Sequence, residues 1–465
     1  MKYIEIHWLI VFSAIFVSII ILNNLNILKT IVNLLNYYQI FINSYFSKED
    51  DKVKFKKVIL NSSRIIYETL IFLLKIFLVI FPILLSIFFS TLFEIDIINH
   101  FLSIESFLIA VFILIIFSKF FQKSKDYNKF DRSIHRLIVN NNLLLNLCFD
   151  IENFFTKKRN NSYFKKKLFI CGYARAGTTL VLNSLYSSGD FNSLLYKNLP
   201  FLLSPRINSF ITKFIFSNNL KRSPRAHGDG ILIDKNSPEA FEEIFWKSKL
   251  NNEFIFDKHL TEHTINDNIL KEFENFVRLL IDNEKIYLSK NNNNILRIDS
   301  LLKMVNSNVI VIIRDPIHHS LSLLNQHLMF SKSQEQDKFI EQYMTSLGHY
   351  EFGKNQKSFF NLDNIYSKNS LNFWLEEWRK VYSKIYKKNQ DSKNKVNFLT
   401  YEGFCKNPQL LFDKINDIFK ISINNDLNIN QRNKNEINLK KLEIDEELIA
   451  ECNQIYKKIK NISVV

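Results

Sequence analysis

The sequence is poor in glycine, proline and cysteine. Of 465 residues, only 8 are glycine, 7 are proline and 4 are cysteine. The cysteines lie far apart and form no C-x-x-C pair, so neither a zinc site nor a disulfide framework is predicted. This usage is typical of a protein in a reducing compartment. The four positions are Cys148, Cys171, Cys405 and Cys452.

Acidic residues are also comparatively few. There are 46 Asp and Glu against 61 Lys and Arg, which gives a formal net charge of +15. A basic balance favours nucleic acid, a membrane surface or small anions as partners. Aromatic residues do not alternate with Lys and Arg in any nucleic-acid-binding motif, so no nucleic-acid partner is predicted. The run Asn291–Asn294 is attributed to codon bias, and its expected structure is a solvated turn.

The first third of the chain contains three long apolar runs, and a helix needs about 20 apolar residues to cross a bilayer. They cover residues 6–22, 70–93 and 101–121, and Lys75 is the only charge in the second run. We therefore predict a membrane region over residues 1–122 with about three transmembrane helices. The first run is either a span or an uncleaved signal anchor, because it lacks a small-residue cleavage site.

Basic residues flank these runs unequally. Many Lys and Arg lie in residues 29–64 and 119–136, whereas the link 94–100 has none. The positive-inside rule then places both basic segments in the cytoplasm. We expect the N-terminus and residues 94–100 to face outward, and everything after about residue 122 to be cytoplasmic. Residues 123–164 are predicted to be a basic, partly helical connector.

From about residue 165, short apolar strands alternate with amphipathic helices. The predicted strands are "KLFICGY" (167–173), "NVIVIIRD" (308–315) and "KVNFLTYEGF" (395–404). The predicted helices are "TTLVLNSLYSS" (178–188), "PIHHSLSLLNQHLMF" (316–330) and "PQLLFDKINDIFKI" (408–421). Strands buried on both faces and alternating with helices predict an α/β domain with a parallel sheet over residues 165–465.

The first strand runs into a glycine loop, "GYARAGTT". Gly172 and Gly177 have the spacing of a phosphate-binding loop, whose backbone wraps around an anion at a helix N-terminus. A nucleoside triphosphate loop would have Lys where Thr178 stands, and that Lys reaches the β- and γ-phosphates. Here Arg175 supplies a cation, and Thr178 and Thr179 supply hydroxyls. The loop therefore predicts a shorter anion. The alternative is an ordinary strand–turn–helix corner.

A second motif follows the second strand. Arg314 ends the strand, Pro316 opens the next helix, and Ser322 comes eight residues after the Arg. Both polar side chains are predicted at the carboxyl edge of the sheet, where ligands of such folds bind. An Arg fork and a hydroxyl suit a phosphate monoester. The alternative is an Arg paired with Asp315 or another carboxylate.

Together the two motifs resemble the sulfotransferases that use 3′-phosphoadenosine 5′-phosphosulfate (PAPS). "YARAGTT" is similar to that family's P-R-S-G-T-T loop, with Ala replacing Pro and Ser. The resemblance implies that Arg314 and Ser322 hold the 3′-phosphate. It also implies that the 5′-phosphosulfate is bound by Tyr173, Ala174, Arg175, Ala176, Gly177, Thr178 and Thr179.

The resemblance covers roughly residues 165–422 and implies PAPS as co-substrate with no metal. Lys290, in "LSKNNNN", matches a family Lys beside the transferred sulfonate. "FLTYEGFCKNP" resembles a late strand and turn that close the adenosine side. Residues 224–247 look most like bacterial members, which implies a bacterial inner membrane.

The residue that activates the acceptor lies between the two motifs in this family. His227 and Asp229 in "RAHGDG" are the candidates, because His titrates near neutrality. The alternative for His227 is a loop histidine bonded to backbone. Glu239, Glu242 and Glu243 are expected to serve a helix dipole. His318 and His319 are expected to face solvent or to lie beside the phosphate.

The sequence thus predicts a membrane-anchored sulfotransferase that acts on a hydroxyl or amine, with a glycan or lipid-linked glycan as acceptor. Partners are the bilayer, PAPS and that acceptor, and the oligomeric state is open. One alternative is a P-loop kinase or NTPase, in which "ILRID" (295–299) is a strand ending in a magnesium-binding Asp. Another is a non-catalytic nucleotide-binding membrane scaffold.

Overall fold

The chain forms two compact units in a computed structural model, Met1–Leu143 and Leu144–Val465. The residues that the structure describes are 2–25, 27–45, 51–92, 138–139, 141–156, 165–209, 223–224, 232–281, 285–361, 364–391, 396–423 and 443–464.

The N-terminal unit consists of long helices. They are α1 (Lys2–Asn24), α2 (Ile27–Tyr45) and α3 (Asp51–Leu92). The predicted run 6–22 lies in α1, and residues 70–92 of the second run lie at the end of α3. Residue 93 and the run 101–121 fall outside the described residues. Within the described part of the chain, one helix, Asp51–Thr91, is long and apolar enough to cross a membrane, while Ile10–Leu22 is a shorter apolar helix.

α2 and α3 form an antiparallel hairpin with polar contacts along it. The Asn61 Nδ2 lies 3.3 Å from the Ser44 Oγ, and the Asn33 Nδ2 lies 3.0 Å from the Glu68 Oε1. The ammonium of Lys75 donates to the Thr30 hydroxyl at 2.7 Å. Lys75, the single charge in the second apolar run, therefore has a partner on α2. α1 also packs on α3.

The second unit is built on five parallel strands in the order β2-β6-β1-β7-β9. All β1 and most β7 side chains are buried, because apolar β-branched and aromatic residues fill positions covered on both faces. The predicted parallel α/β fold is confirmed. The strands are β1 (Lys167–Cys171), β2 (Phe191–Asn192), β6 (Ile286–Lys290), β7 (Ser307–Ile313) and β9 (Asn397–Thr400).

Two-stranded pairs and eleven described helices complete this unit. β3 (Ser223–Pro224) pairs with β4 (Leu232–Ile233), and β5 (His259–Leu260) pairs with β8 (Ser358–Phe359). The helices are α4 (Asn142–Thr156), α5 (Thr178–Tyr186), α6 (Glu243–Lys249), α7 (Asp267–Leu280), α8 (Ile298–Lys303), α9 (Pro316–Gln336), α10 (Lys338–Leu347), α11 (Leu371–Asp391), α12 (Tyr401–Lys406), α13 (Gln409–Phe419) and α14 (Glu446–Lys460).

The core lies on both faces of the sheet. On one face, Leu182 and Leu185 of α5 and Phe412 of α13 join the apolar strand residues in one buried cluster. On the other face the core is aromatic, and the Phe273 ring of α7 lies 6.0 Å from the Phe169 ring. Helices thus cover both faces, which leaves the carboxyl edge of the strands open for a site.

Two segments differ from the sequence-based expectation. The strand predicted over 395–404 ends at Thr400, because the Thr400 hydroxyl accepts a hydrogen bond from the Gly403 amide and caps α12. The solvated turn expected at Asn291–Asn294 is wrong, since all four side chains are buried. They lie in a 3₁₀ turn over Asn292–Arg297, and the amides of Asn291 and Asn292 bind the carboxylates of Glu243 and Glu351.

Candidate active site

The glycine loop needs both of its glycines. A Cβ on Gly172 would lie 2.6 Å from the Ile312 carbonyl oxygen, and one on Gly177 would lie 2.4 Å from the Tyr401 ring. Gly177 has φ 101° and is the N-cap of α5, to which it offers no side-chain cap. The backbone therefore approaches β7 and α12 closely, and the N-terminus of α5 faces the carboxyl edge of the sheet.

The two predicted anion motifs touch each other. The Arg175 Nε donates to the Ser322 hydroxyl at 3.2 Å, and the Arg314 Nη1 donates to the Arg175 carbonyl at 3.2 Å. Asp315 accepts from the His318 amide and caps α9, which fixes Ser322 in the second turn of that helix. The loop and the second motif thus form one continuous polar edge.

The guanidinium of Arg314 is held by a neighbouring ring, but one of its hydrogen-bond donors has no partner among the described residues. Its Cζ lies 4.8 Å from the centre of the Tyr401 ring, a cation–π distance. The Trp378 indole N–H donates to the Arg314 carbonyl at 3.3 Å. The Arg314 Nε is buried and has no hydrogen-bond partner among the described residues. A buried donor of this kind favours an anionic oxygen beside it.

His319 supports the glycine loop through a hydrogen bond to its backbone. Its ring is fully buried, and its Nε2 lies 2.7 Å from the Ala174 carbonyl oxygen. A carbonyl only accepts, so Nε2 carries the proton. Burial lowers the pKa of His319 to about 3, and the nearby Arg314 and Arg175 add to that shift. The expectation of a solvent-facing side chain is therefore wrong for His319, which is a neutral support of the loop.

A tyrosine of α11 joins the loop to β7. The Tyr382 hydroxyl donates to the Ile312 carbonyl at 2.8 Å and accepts from the Tyr173 amide at 3.3 Å. Sequence analysis missed this residue, because α11 lies some 200 residues from the loop and its spacing carries no local signal. The loop conformation is thus fixed by helices that come much later in the chain.

Lys290 ends β6, in register with Ile170 of the neighbouring β1. Its ammonium lies 3.7 Å from a carboxylate oxygen of Glu239, and both side chains are 8% exposed. The Tyr196 hydroxyl lies 3.4 Å from the other Glu239 oxygen. A buried carboxylate therefore lies beside the lysine that sequence analysis selected.

The other two glutamates of this segment have structural partners. Glu242 accepts from the Trp246 indole at 2.8 Å and from the Tyr287 hydroxyl at 2.9 Å, and burial raises its pKa. Glu243 accepts from Arg297 at 2.8 Å. Both residues lie at the N-terminus of α6, where a helix dipole favours carboxylates, but they are also buried and bind side chains of β6 and the turn that follows it.

His227 and Asp229, the predicted base and its neighbour, lie outside the described residues. Ala176, Thr178 and Thr179 are buried in the loop and the first turn of α5.

The magnesium-binding strand proposed at "ILRID" is wrong, because this segment is helical and Asp299 forms an ion pair with Lys388 at 2.8 Å. The described portion of the chain contains no His, Cys, Asp and Glu cluster suited to a metal ion.

Residues 167–425 match the family model for the sulfotransferase family. The chain belongs to the sulfotransferase family. The match begins with β1, ends after α13 and includes both motifs of the polar edge. The sulfotransferase domain therefore lies in the second unit, and the N-terminal helices lie outside the match. Membership of this family makes the chain a transferase with the α/β fold described above.

Solved sulfotransferases from mycobacteria are among the similar structures. STF1 from Mycobacterium tuberculosis H37Rv has 10% identity and a TM-score of 0.38, with 72% of this chain and 84% of that chain covered. STF9 from Mycobacterium avium has 13% identity and a TM-score of 0.39, with 72% and 79% covered. Among curated proteins, none matches this sulfotransferase.

Proposed function

We propose that this sulfotransferase is membrane-anchored and moves a sulfonate group from PAPS to a hydroxyl or amine, with a glycan or lipid-linked glycan as acceptor. The observation that carries the choice of donor is the contact between Arg175 and Ser322, 3.2 Å apart. It joins a loop that lacks the γ-phosphate lysine to a second anion motif. A donor with one phosphate at each end of its ribose fits such a pair.

The residues of the polar edge fit PAPS in two places. The 3′-phosphate lies at Arg314 and Ser322, where the buried Arg314 Nε has no partner among the described residues. The 5′-phosphosulfate lies in the loop Tyr173–Thr179, against the N-terminus of α5, whose backbone dipole favours negative charge. Bound PAPS supplies an activated sulfonate. Arg175 and Lys290 stabilise the negative charge of its oxygens.

The acceptor hydroxyl needs a base, and we propose His227 for this role, with Asp229 orienting its ring or replacing it. Glu239 is a second candidate, favoured by the 3.7 Å between its carboxylate and Lys290. Single-turnover transfer at saturating donor separates the two. We expect His227→Asn to slow transfer by about 10²–10⁴-fold without weakening donor binding. If Glu239→Gln alone has that effect, Glu239 is the base.

Binding of 3′,5′-ADP, the product without sulfonate, tests the donor site by calorimetry. Arg314→Ala removes a charged hydrogen bond worth about 2–3 kcal/mol, roughly a 30- to 150-fold loss of affinity. Ser322→Ala removes a neutral one worth about 0.5–1.5 kcal/mol. Arg278→Ala is the matched control, since this Arg on α7 bonds Asn275 and not the polar edge. Equal affinities for wild type and Arg314→Ala would exclude Arg314 from the site.

A thermal-shift assay with the same ligand separates the alternative functions. Thermal stabilisation of the detergent-solubilised chain by 3′,5′-ADP, but not by ATP and magnesium, supports the PAPS site. Stabilisation by ATP and magnesium alone supports a kinase, against which the helical "ILRID" segment and the absent loop lysine already stand. Stabilisation by neither ligand supports a scaffold.

A further inference from the structure

α4 is fixed to the sulfotransferase unit by one of its faces. Leu145, Phe149 and Glu152 are buried at helical spacing. The Phe149 ring lies 6.1 Å from Phe245 in an edge contact. The Glu152 carboxylate accepts from the backbone amides of Arg206 and Ile207 at 3.0–3.1 Å. This helix is therefore held by packing and by a buried polar contact.

The opposite face of α4 is apolar and exposed. Leu147 and Ile151 are 56% and 42% exposed, and Phe154 and Phe155 are each 75% exposed. These positions follow the i, i+4, i+7, i+8 pattern of a single helix face. Two adjacent phenylalanines with three-quarters of their surface in water indicate a surface that meets another phase or partner. We call these four side chains the outer face of α4.

Charge and position in the chain favour a bilayer over a second copy as the partner. Lys157, Lys158 and Arg159 directly follow α4 in the sequence. Two copies packed through this face would bring like charges together, whereas anionic headgroups neutralise them. Residues 122–141, which link the third apolar run to α4, span at most about 70 Å.

We propose that the outer face of α4 docks the sulfotransferase unit on an anionic bilayer surface. The phenylalanines enter the boundary between headgroups and acyl chains, and the basic sequence that follows α4 favours an anionic surface. Since the buried face of α4 is part of the unit, the docked unit has a fixed orientation on the surface. Acceptors held in the membrane then reach it without dissociating. The inference rests on the proposed membrane anchoring and not on the choice of donor.

Spin labelling of the full chain tests this docking. The partly exposed Cys148 and Cys405 are replaced by Ser, and single labels are placed by Phe155→Cys, Lys457→Cys and Leu78→Cys. The chain is reconstituted in nanodiscs that contain phosphatidylglycerol. Oxygen partitions into lipid and a nickel chelate stays in water, so the ratio of the two accessibilities reports contact with lipid.

The ratio at Phe155→Cys should be several-fold higher than at Lys457→Cys, which lies on an exposed surface of α14. It should fall when phosphatidylcholine replaces phosphatidylglycerol. Equal ratios at the two sites overturn the docking, and so does a Phe155→Cys label shielded from both reagents, which indicates a protein contact. A ratio unaffected by the lipid exchange overturns the role of the basic residues.

The label at Leu78→Cys, within the apolar part of α3, distinguishes a failure of membrane anchoring from a failure of docking. A lipid-exposed label at Leu78→Cys with a water-exposed label at Phe155→Cys means that anchoring holds and docking fails. Water exposure at both sites means that both fail. A repeat at Leu147→Cys, about two turns earlier on the same face, guards against a local effect of the Phe155 substitution.

Discussion

Gly177 lies so close to the Tyr401 ring that no side chain fits between them. Gly177→Ala adds a Cβ at 2.4 Å from the ring and strains a residue with φ 101°. We expect a loss of about 1–3 kcal/mol in stability and a weaker affinity for 3′,5′-ADP. Calorimetry and thermal unfolding measure the two effects.

Gly189→Ala is the control for that substitution. Gly189 has φ 86°, but a Cβ there meets nothing within 4 Å. Gly189→Ala should therefore lose stability through backbone strain but not through a steric clash. Similar losses for both variants would show that the Tyr401 contact does not shape the loop.

His319 makes the stability of the folded protein depend on pH in a defined direction. Its folded pKa is about 3, against about 6.5 when unfolded. Between these values the unfolded chain binds a proton that the folded chain does not, so stability is lost as pH falls below about 6.5. The slope is at most about 1.4 kcal/mol per pH unit. His319→Gln keeps a neutral donor and should flatten the acid side of the stability profile. An unchanged slope would mean that His319 charges in the folded protein.

Some of these residues could be predicted from sequence and others could not. Arg175, Arg314 and Ser322 lie next to strand ends whose apolar runs are unmistakable, so their position at the carboxyl edge follows from local pattern. His319 and Tyr382 act through burial beneath the loop, which depends on the packing of α9 and α11. A histidine in a polar helix start has the same local sequence whether it faces water or the core.

At the scale of single elements, Thr400 separates β9 from α12. Its hydroxyl caps the helix at the Gly403 amide, and Tyr401, the next residue, faces the loop. Thr400→Val keeps the shape but removes the cap, and should cost about 1 kcal/mol in unfolding free energy. Thr400→Ser retains the hydroxyl and should cost less. Denaturant unfolding of the two variants measures the difference, and an equal or larger loss for Thr400→Ser would show that the capping hydroxyl contributes no more than the methyl group.

The elements that pattern analysis found are those with a simple period. The buried strands β1 and β7 and the helices α5, α9 and α13 each follow a local apolar pattern. The pattern failed where polar residues are buried in pairs, as in the 3₁₀ turn at Asn292–Arg297, because the partners come from other elements. It also left α2 and the first half of α3 without an element, because the sequence between the first two apolar runs was interpreted only as a basic flanking segment.

At the scale of the whole chain, membrane orientation is the prediction to test. By the positive-inside rule, the basic segments predict a cytoplasmic C-terminal unit, and on that prediction an alkaline phosphatase fused after the C-terminus should be inactive. The same enzyme fused within residues 94–100, which contain no Lys or Arg, should be active. The reverse pattern would invert the orientation, and activity in both fusions would remove the cytoplasmic assignment.

The strand order also determines how long β1 remains without its neighbouring strands during synthesis. β1 lies at the centre of the sheet, yet its neighbour β6 begins 115 residues after β1 ends, at Ile286 against Cys171. At about 5–20 residues per second, that gap corresponds to roughly 6–23 s of translation. During this interval the glycine loop and its helix have left the ribosome without the strands that enclose them. During these seconds chaperones and proteases meet β1 as an unpaired apolar strand.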